Sequence, residues 1–151
     1  MQLTRAADYA VRVMIHLAGL PQGTRASRSD LATEAGCPEQ FLSKVLQNLT
    51  RAGLVNSHRG NTGGFELPND HRNVSVLDVV EAVEGPIRLN LCLTSDHACS
   101  RQCWCPAHPV WADAQRAMVA VLQSATIDQL AERVPPGEKP LVIPLDDLKW
   151  N

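Results

Sequence analysis

The sequence predicts a mainly α-helical chain with a small β-wing: a winged helix-turn-helix unit followed by one long helix suited to pairing with another. Three patterns predict it. Apolar residues recur at helical spacing through the first fifty positions, interrupted at short polar or glycine-containing breaks. A glycine-rich tip between two short strand-like runs follows directly on two closely spaced helices. Trp111, Ala114, Met118, Val121 and Leu122 lie three and four apart, a narrow seam of the kind that faces a partner helix.

Taken in chain order, Leu3, Ala6, Ala7, Ala10, Val11, Met14, Leu17 and Ala18 form one stripe and predict a helix over 4–19. Thr4 suits its N-cap and Gly19 its stop. Asp8, Arg12 and His16 share its polar face. After the turn Pro21-Gln22-Gly23, Ser27 or Ser29 caps a short helix to about Glu34 that turns Leu31 and Ala32 inward. Ala35-Gly36 breaks it. A third helix starts with Pro38 in its first turn, buries Phe41, Leu42, Val45, Leu46 and Leu49, and ends at Ala52-Gly53. Residues 54–58 read as a strand, 59–64 as the tip, and 65–67 as the returning strand. Ser75 with Asp78 opens a helix on Val76, Val79, Val80 and Val83, terminated by Gly85-Pro86. Residues 90–105 show no periodicity. The long helix begins near Pro106 or Pro109 and runs to about 124. Thr126 with Gln129 then makes a capping box for a last helix ending near Val134. This divides the chain into 1–72, the winged unit; 73–134, a helix, a cysteine-rich loop and the long helix; and 135–151, a proline-containing tail with Leu141, Val142 and Ile143.

Composition narrows the function. With 151 residues, 44% of them hydrophobic, the chain can build one core, and no apolar run approaches the ~18 residues a membrane span needs. The start, Met1-Gln2-Leu3-Thr4-Arg5, does not read as a signal peptide, so a cytoplasmic protein without a membrane partner is expected. Net charge is −2, yet residues 1–72 hold eight basic and six acidic side chains, against six and ten in the remainder. That asymmetry is compatible with nucleic-acid binding in the first part only. Aromatic residues make up 4%, which leaves no stacking platform for single strands.

Duplex DNA is read through polar side chains on an exposed helix face. Gln40, Ser43, Lys44 and Gln47 offer that face on the third helix. Arg28 and Ser29, opening the helix before it, suit phosphates. Arg59 at the wing suits a narrow minor groove, whose negative potential attracts guanidinium.

Four of the five cysteines, Cys92, Cys99, Cys103 and Cys105, fall within fourteen residues, and His108 follows shortly after. In a compartment that keeps thiols reduced, such a group points to metal or redox chemistry. An iron–sulfur cluster accepts thiolates at uneven spacing. Structural zinc prefers ligands two to four residues apart, which only Cys103, Cys105 and His108 approach. A thiol–disulfide switch needs just two neighbouring cysteines. Catalysis by a Cys105 nucleophile with His108 lacks an orienting third group, so no enzyme is expected. Cys37, at the turn before the third helix, reads as a small apolar residue, and His16, His58, His71 and His97 as surface histidines.

Met1-Gln2-Leu3-Thr4 running into Asp8-Tyr9-Ala10, then Arg59-Gly60 with Gly63-Gly64-Phe65, then spaced cysteines before a long helix, resemble the IscR, NsrR and RirA (Rrf-two) family of iron–sulfur winged-helix regulators. The likeness covers about 1–134. It implies a homodimeric transcription factor on a double-stranded, palindromic operator, its long helices crossing. It further implies a 2Fe–2S or 4Fe–4S cluster on Cys92, Cys99 and Cys105 that sets DNA affinity in response to redox state, nitric oxide or iron supply. The fourth ligand is Asp8 of the partner subunit in one branch of the family and a histidine matching His108 in another. Arg12, four residues after Asp8, stands behind it as an ion-pair partner. The first gap is one residue longer than in several members, and Cys103 is an extra thiol that can substitute for Cys99 or Cys105. Thiol–disulfide switching or soft-metal binding at the same cysteines is the alternative.

Overall fold

The computed structural model describes residues 3–60, 63–70, 73–94 and 99–135. His71, His97 and residues 141–143 lie outside them. Six helices and a two-stranded antiparallel sheet follow in the order α1 (Arg5–Gly19), α2 (Arg28–Ala35), α3 (Glu39–Arg51), β1 (Asn56–His58), β2 (Gly64–Glu66), α4 (Val76–Glu84), α5 (His108–Ser124) and α6 (Ile127–Ala131), with a 3₁₀ turn at Leu91–Leu93. This is the mainly helical, winged architecture that the sequence predicts.

Local chemistry starts the helices. Thr4 caps α1 by accepting from the Ala6 amide. Ser27, Ser75 and Thr126 each form a full capping box, with Asp30, Asp78 and Gln129, at the starts of α2, α4 and α6. Ser27, not Ser29, is therefore the cap of α2; Ser29 lies inside the helix, where its carbonyl accepts from the Thr33 hydroxyl. Pro38 stands at the N-cap of α3, one position before the first turn, with extended backbone. Gly36 ends α2 in the left-handed region (φ 69°), the conformation that only glycine takes at little cost.

The core gathers around α1. Met14, Leu31, Leu42, Leu46, Leu49, Val55, Val79 and Ile127 are almost fully buried in one cluster, so α4 and α6 pack on the same helix as α2 and α3. A short bridge between Ser75 and Thr126 ties the start of α4 to the start of α6. A smaller cluster joins Ala7 of α1 to Leu77, Val80 and Ile87, with Met118, Val119 and Leu122 of α5 against it.

Four sequence expectations are corrected by this packing. Phe41 is not part of the buried stripe of α3: it is 43% exposed and meets Tyr9 edge-on, because Leu42, Val45, Leu46 and Leu49 already fill the inward face. The first wing strand starts at Asn56, since Val55 turns into the core. Helix α6 stops at Ala131 and gives way to a turn before Val134. The seam expected on α5 is split. Met118 and Leu122 pack on this protomer's own second cluster, whereas Ala114 and Val121 face outward.

Candidate nucleic-acid interface and metal centre

The helix-turn-helix presents α3 outward because its apolar stripe is only one side wide. Leu42, Val45, Leu46 and Leu49 anchor it, leaving Gln40, Lys44 and Gln47 exposed and Ser43 half-buried on the other side. Arg28 is exposed at the first position of α2 and reaches across the turn: Nε lies 3.3 Å from Glu39 Oε2, and Nη1 donates to Ser43 Oγ at 3.4 Å. The Arg28 charge is thus partly offset by Glu39 in the free protein. Ser29 is exposed beside it.

The wing is held against the body by pairing and charge. Asn56 pairs with Glu66, Ser57 with Phe65, and His58 with Gly64, and Phe65 also bridges to Ala26 ahead of α2. Glu66 accepts from Arg25 Nε at 3.2 Å and contacts His58 Nε2 at 2.7 Å. Burial raises the Glu66 pKa, but the hydrogen bonds and charges of His58 and Arg25 outweigh it and hold the carboxyl below its ordinary 4.5. The turn itself demands glycine. A Cβ on Gly63 would stand 2.5 Å from the His58 carbonyl oxygen, and one on Gly64 2.8 Å from that of Ala26. Arg59 is exposed where the wing begins.

Between α3 and the wing lies a cavity of about 450 Å³, lined by Arg28, Ser43, Leu46, Gln47, Thr50, Arg51, Ser57 and Phe65. Three of these, Arg28, Ser43 and Gln47, were legible as interface residues. Thr50, Arg51 and Ser57 were not. Arg51 continues the Ser43–Gln47 stripe by one more turn, which was the available signal.

The cysteine loop makes a second concavity, of about 480 Å³. Cys92, Cys99 and Cys105 line it together with Asn90, Leu91, Ser100, Arg101 and Trp111. Cys103 is exposed, is not part of that lining, and sits next to Trp104, whose ring lies 5.7 Å from the Arg101 guanidinium. Among the described residues, no three of His, Cys, Asp and Glu converge closely enough for a single ion. These thiols share a ligand only if it is larger than one ion or if the loop draws in. Three soft sulfur donors around one half-apolar cavity fit the chemistry of an iron–sulfur cluster.

Both candidates for a further donor carry an atom cut off from solvent. His108 Nε2 has no hydrogen-bond partner among the described residues. Its backbone amide donates to the Cys105 carbonyl, which sets the start of α5 directly on the loop. Asp8 Oδ2 is likewise sequestered, 2.8 Å from Arg12 Nη2 in an ion pair without hydrogen-bond alignment. Arg12 also donates to the Ala35 carbonyl at the end of α2, at 3.3 Å. Neither His108 nor Asp8 lines the cysteine cavity of its own protomer. His16 stands 3.9 Å from Glu34 and His58 is in the wing. Cys37 is buried, which pushes its thiol pKa up despite the nearby Arg12 charge.

No helix among the described residues is long and apolar enough to cross a membrane. The model of the Rrf2 family, described as "Iron-dependent Transcriptional regulator", matches residues 3–133. An HTH-type transcriptional regulator of Mycobacterium tuberculosis is 42% identical over 87 residues, 58% of this chain and 54% of the relative. The chain thus spans about half the length of that curated relative. CymR, the global cysteine regulator of B. subtilis, superposes with a TM-score of 0.69 at 26% identity, over 87% of this chain and 97% of that one. IscR of T. potens superposes with a TM-score of 0.68 at 26% identity, over 87% and 88%. Family match, winged fold and exposed α3 agree: the chain belongs to the Rrf2 family of DNA-binding transcriptional regulators.

Proposed function

We propose that this protein works as a dimer on a palindromic duplex operator, and that an iron–sulfur cluster on Cys92, Cys99 and Cys105 sets its affinity. One observation carries the reading: those three cysteines, spread over fourteen residues, border one cavity while Cys103 does not. The iron-dependent description of the family and the likeness to IscR support it. When bound, the cluster supplies an inorganic core that responds to oxidation, nitric oxide or iron shortage. The chain's own groups do the rest. The three cysteines would hold it as thiolates, Leu91 and Trp111 would supply apolar lining beside it, and Arg101 would offset anionic charge. His108 or the partner subunit's Asp8 completes the set. A non-thiolate donor there would be held less firmly than the cysteine thiolates.

The route to DNA is a run of packed contacts. The loop is seated on α5 through the bond from the Leu89 amide to Gln115 Oε1 (3.0 Å). Helix α5 bears on α4 and α1 through Met118, Val119 and Leu122, and α1 meets α3 through Tyr9 and Phe41. In a dimer, a change at the loop biases the relative placement of two recognition helices about one DNA turn (~34 Å) apart.

Iron and sulfide analysis with absorption spectra, on anaerobically reconstituted protein, tests the assignment. Wild type and Cys103→Ser are expected to hold equal iron and sulfide, whereas Cys92→Ser, Cys99→Ser and Cys105→Ser lose them. Of Asp8→Ala and His108→Ala, the one with the altered spectrum names the fourth ligand. Colourless wild-type protein would end the cluster reading. A thiol switch is the second reading, favoured by the likeness to the cysteine regulator CymR and by the exposed Cys103. A reproducible Cys–Cys link in oxidised, iron-free protein would support it.

A further inference from the structure

We propose that Arg51, Ser57 and Thr50 form a phosphate-binding site between the last turn of α3 and the first wing strand, taking one phosphodiester of duplex DNA. It rests on the reading of α3 and the wing as the DNA-facing surface. All three residues line the same cavity, and its floor is apolar, from Leu46 and Phe65. Arg28, the other cation at this cavity, is engaged by Glu39. Arg51 is exposed and makes no ion pair among the described residues. Its place in the last turn also suits the α3 dipole, but that role needs neither the cavity nor the hydroxyls around it.

The hydroxyls supply the second observation. Ser57 is exposed on β1 beside the cavity. The Thr50 hydroxyl oxygen is shut off from solvent and has no hydrogen-bond partner among the described residues, although a helical threonine ordinarily donates to a carbonyl one turn back. A buried hydroxyl left in that state is destabilising. Threonine in a helix has two accessible χ1 wells, so one rotation turns this hydroxyl toward an incoming oxyanion. Together the three side chains offer a guanidinium fork and two O–H donors, which suits a phosphate and offers little to a base edge.

Position selects the phosphodiester over a base. A recognition helix puts its N-terminal residues on base edges, so its C-terminal turn leaves the groove near the backbone. Gln40, Lys44 and Gln47 hold the earlier turns, and Arg51 holds the last. Such a contact positions the protein without reading sequence.

Because the contact is sequence-independent, mixed-sequence duplex DNA serves as the probe, titrated at several salt concentrations. For Arg51→Gln we expect affinity to fall roughly tenfold and the slope of log K against log salt to shrink by about 0.9, one phosphate's share. Ser57→Ala and Thr50→Val are expected to lose affinity by several-fold, with Thr50→Val at least as stable to heat as wild type. Arg116→Gln, on the exposed face of α5, removes the same charge and is expected to leave the slope unchanged. An unchanged slope in Arg51→Gln, or an equal loss in Arg116→Gln, would overturn the site. Unaltered binding by Thr50→Val would remove Thr50 from it. Failure of the wild type to bind any duplex would instead strike the reading of the surface itself.

Discussion

Two residues show how environment, more than residue type, sets chemical behaviour here. Cys37 and Cys103 are both free thiols, yet Cys37 is walled in by the core and Cys103 is exposed. Burial raises the Cys37 pKa, so its reactive thiolate is scarce near neutral pH. In cluster-free protein, timed alkylation read by mass spectrometry should label Cys103 first and Cys37 last. Equal rates would mean that the Cys37 pocket opens freely. The sign of the linkage follows from the raised value. Protection by the neutral thiol is complete below pH 9.0, its ordinary pKa, and is lost as pH rises through the raised one. Glu66 is the opposite case. Its depressed pKa means that its stabilisation of the wing is complete above pH 4.5 and fades as pH falls through the lower folded value. An NMR pH titration of the wing amides should show them shifting together in that acid range, and Glu66→Gln should abolish the effect.

Among the elements, the wing is the least self-sufficient. Two three-residue strands cannot stand alone, so the bridge to Ala26 and the Arg25 and His58 side chains on Glu66 hold them in place. Its turn tolerates no side chain at Gly63. Gly63→Ala should therefore displace the wing and weaken DNA binding, while the melting temperature set by the α1 core moves little. The strain to be relieved is on the order of 1–3 kcal/mol, enough to reorganise a hairpin that buries so little. A variant that bound DNA as wild type does would show that the wing contributes no contact. The α2 cap gives a contrasting case. Ser27→Ala removes the side-chain arm of a capping box, leaving only the backbone amide at that position donating to Asp30, and is expected to cost ~1 kcal/mol, read as a lower denaturation midpoint, because α2 is only eight residues long.

At the scale of the molecule, α5 carries an apolar face that the described residues leave exposed. Val110, Ala114, Ala117 and Val121 recur at spacings of four, three and four on α5, all exposed, with Val110 at 62% and Val121 at 67%. That repeat suits the seam of two crossing helices, and alanines at its middle let the backbones come close. Val121→Asp should leave the protomer folded, because the residue touches neither core cluster, yet shift sedimentation from dimer to monomer. Operator affinity should fall with it, since two linked half-site contacts become one. A dimer that survived this charge would place the interface elsewhere.

Much of this was visible in the chain because it is local chemistry. Capping pairs, glycine stops and apolar spacing depend on residues within one turn of each other, so Ser75 with Asp78, or Thr126 with Gln129, declared their helices unaided. The exposed stripe of Gln40, Lys44 and Gln47 followed from the same periodicity, and the glycines of the wing from what a sharp turn demands. Spacing did not separate Cys103 from Cys99 and Cys105, because an aperiodic loop carries no rule for which side chains face one space. Nor did it show that Met118 and Leu122 serve this protomer's own core while Val121 does not, or that Arg51 reaches the cavity beside Ser57. Those outcomes depend on where distant segments pack, and no window of sequence contains the surfaces they pack against.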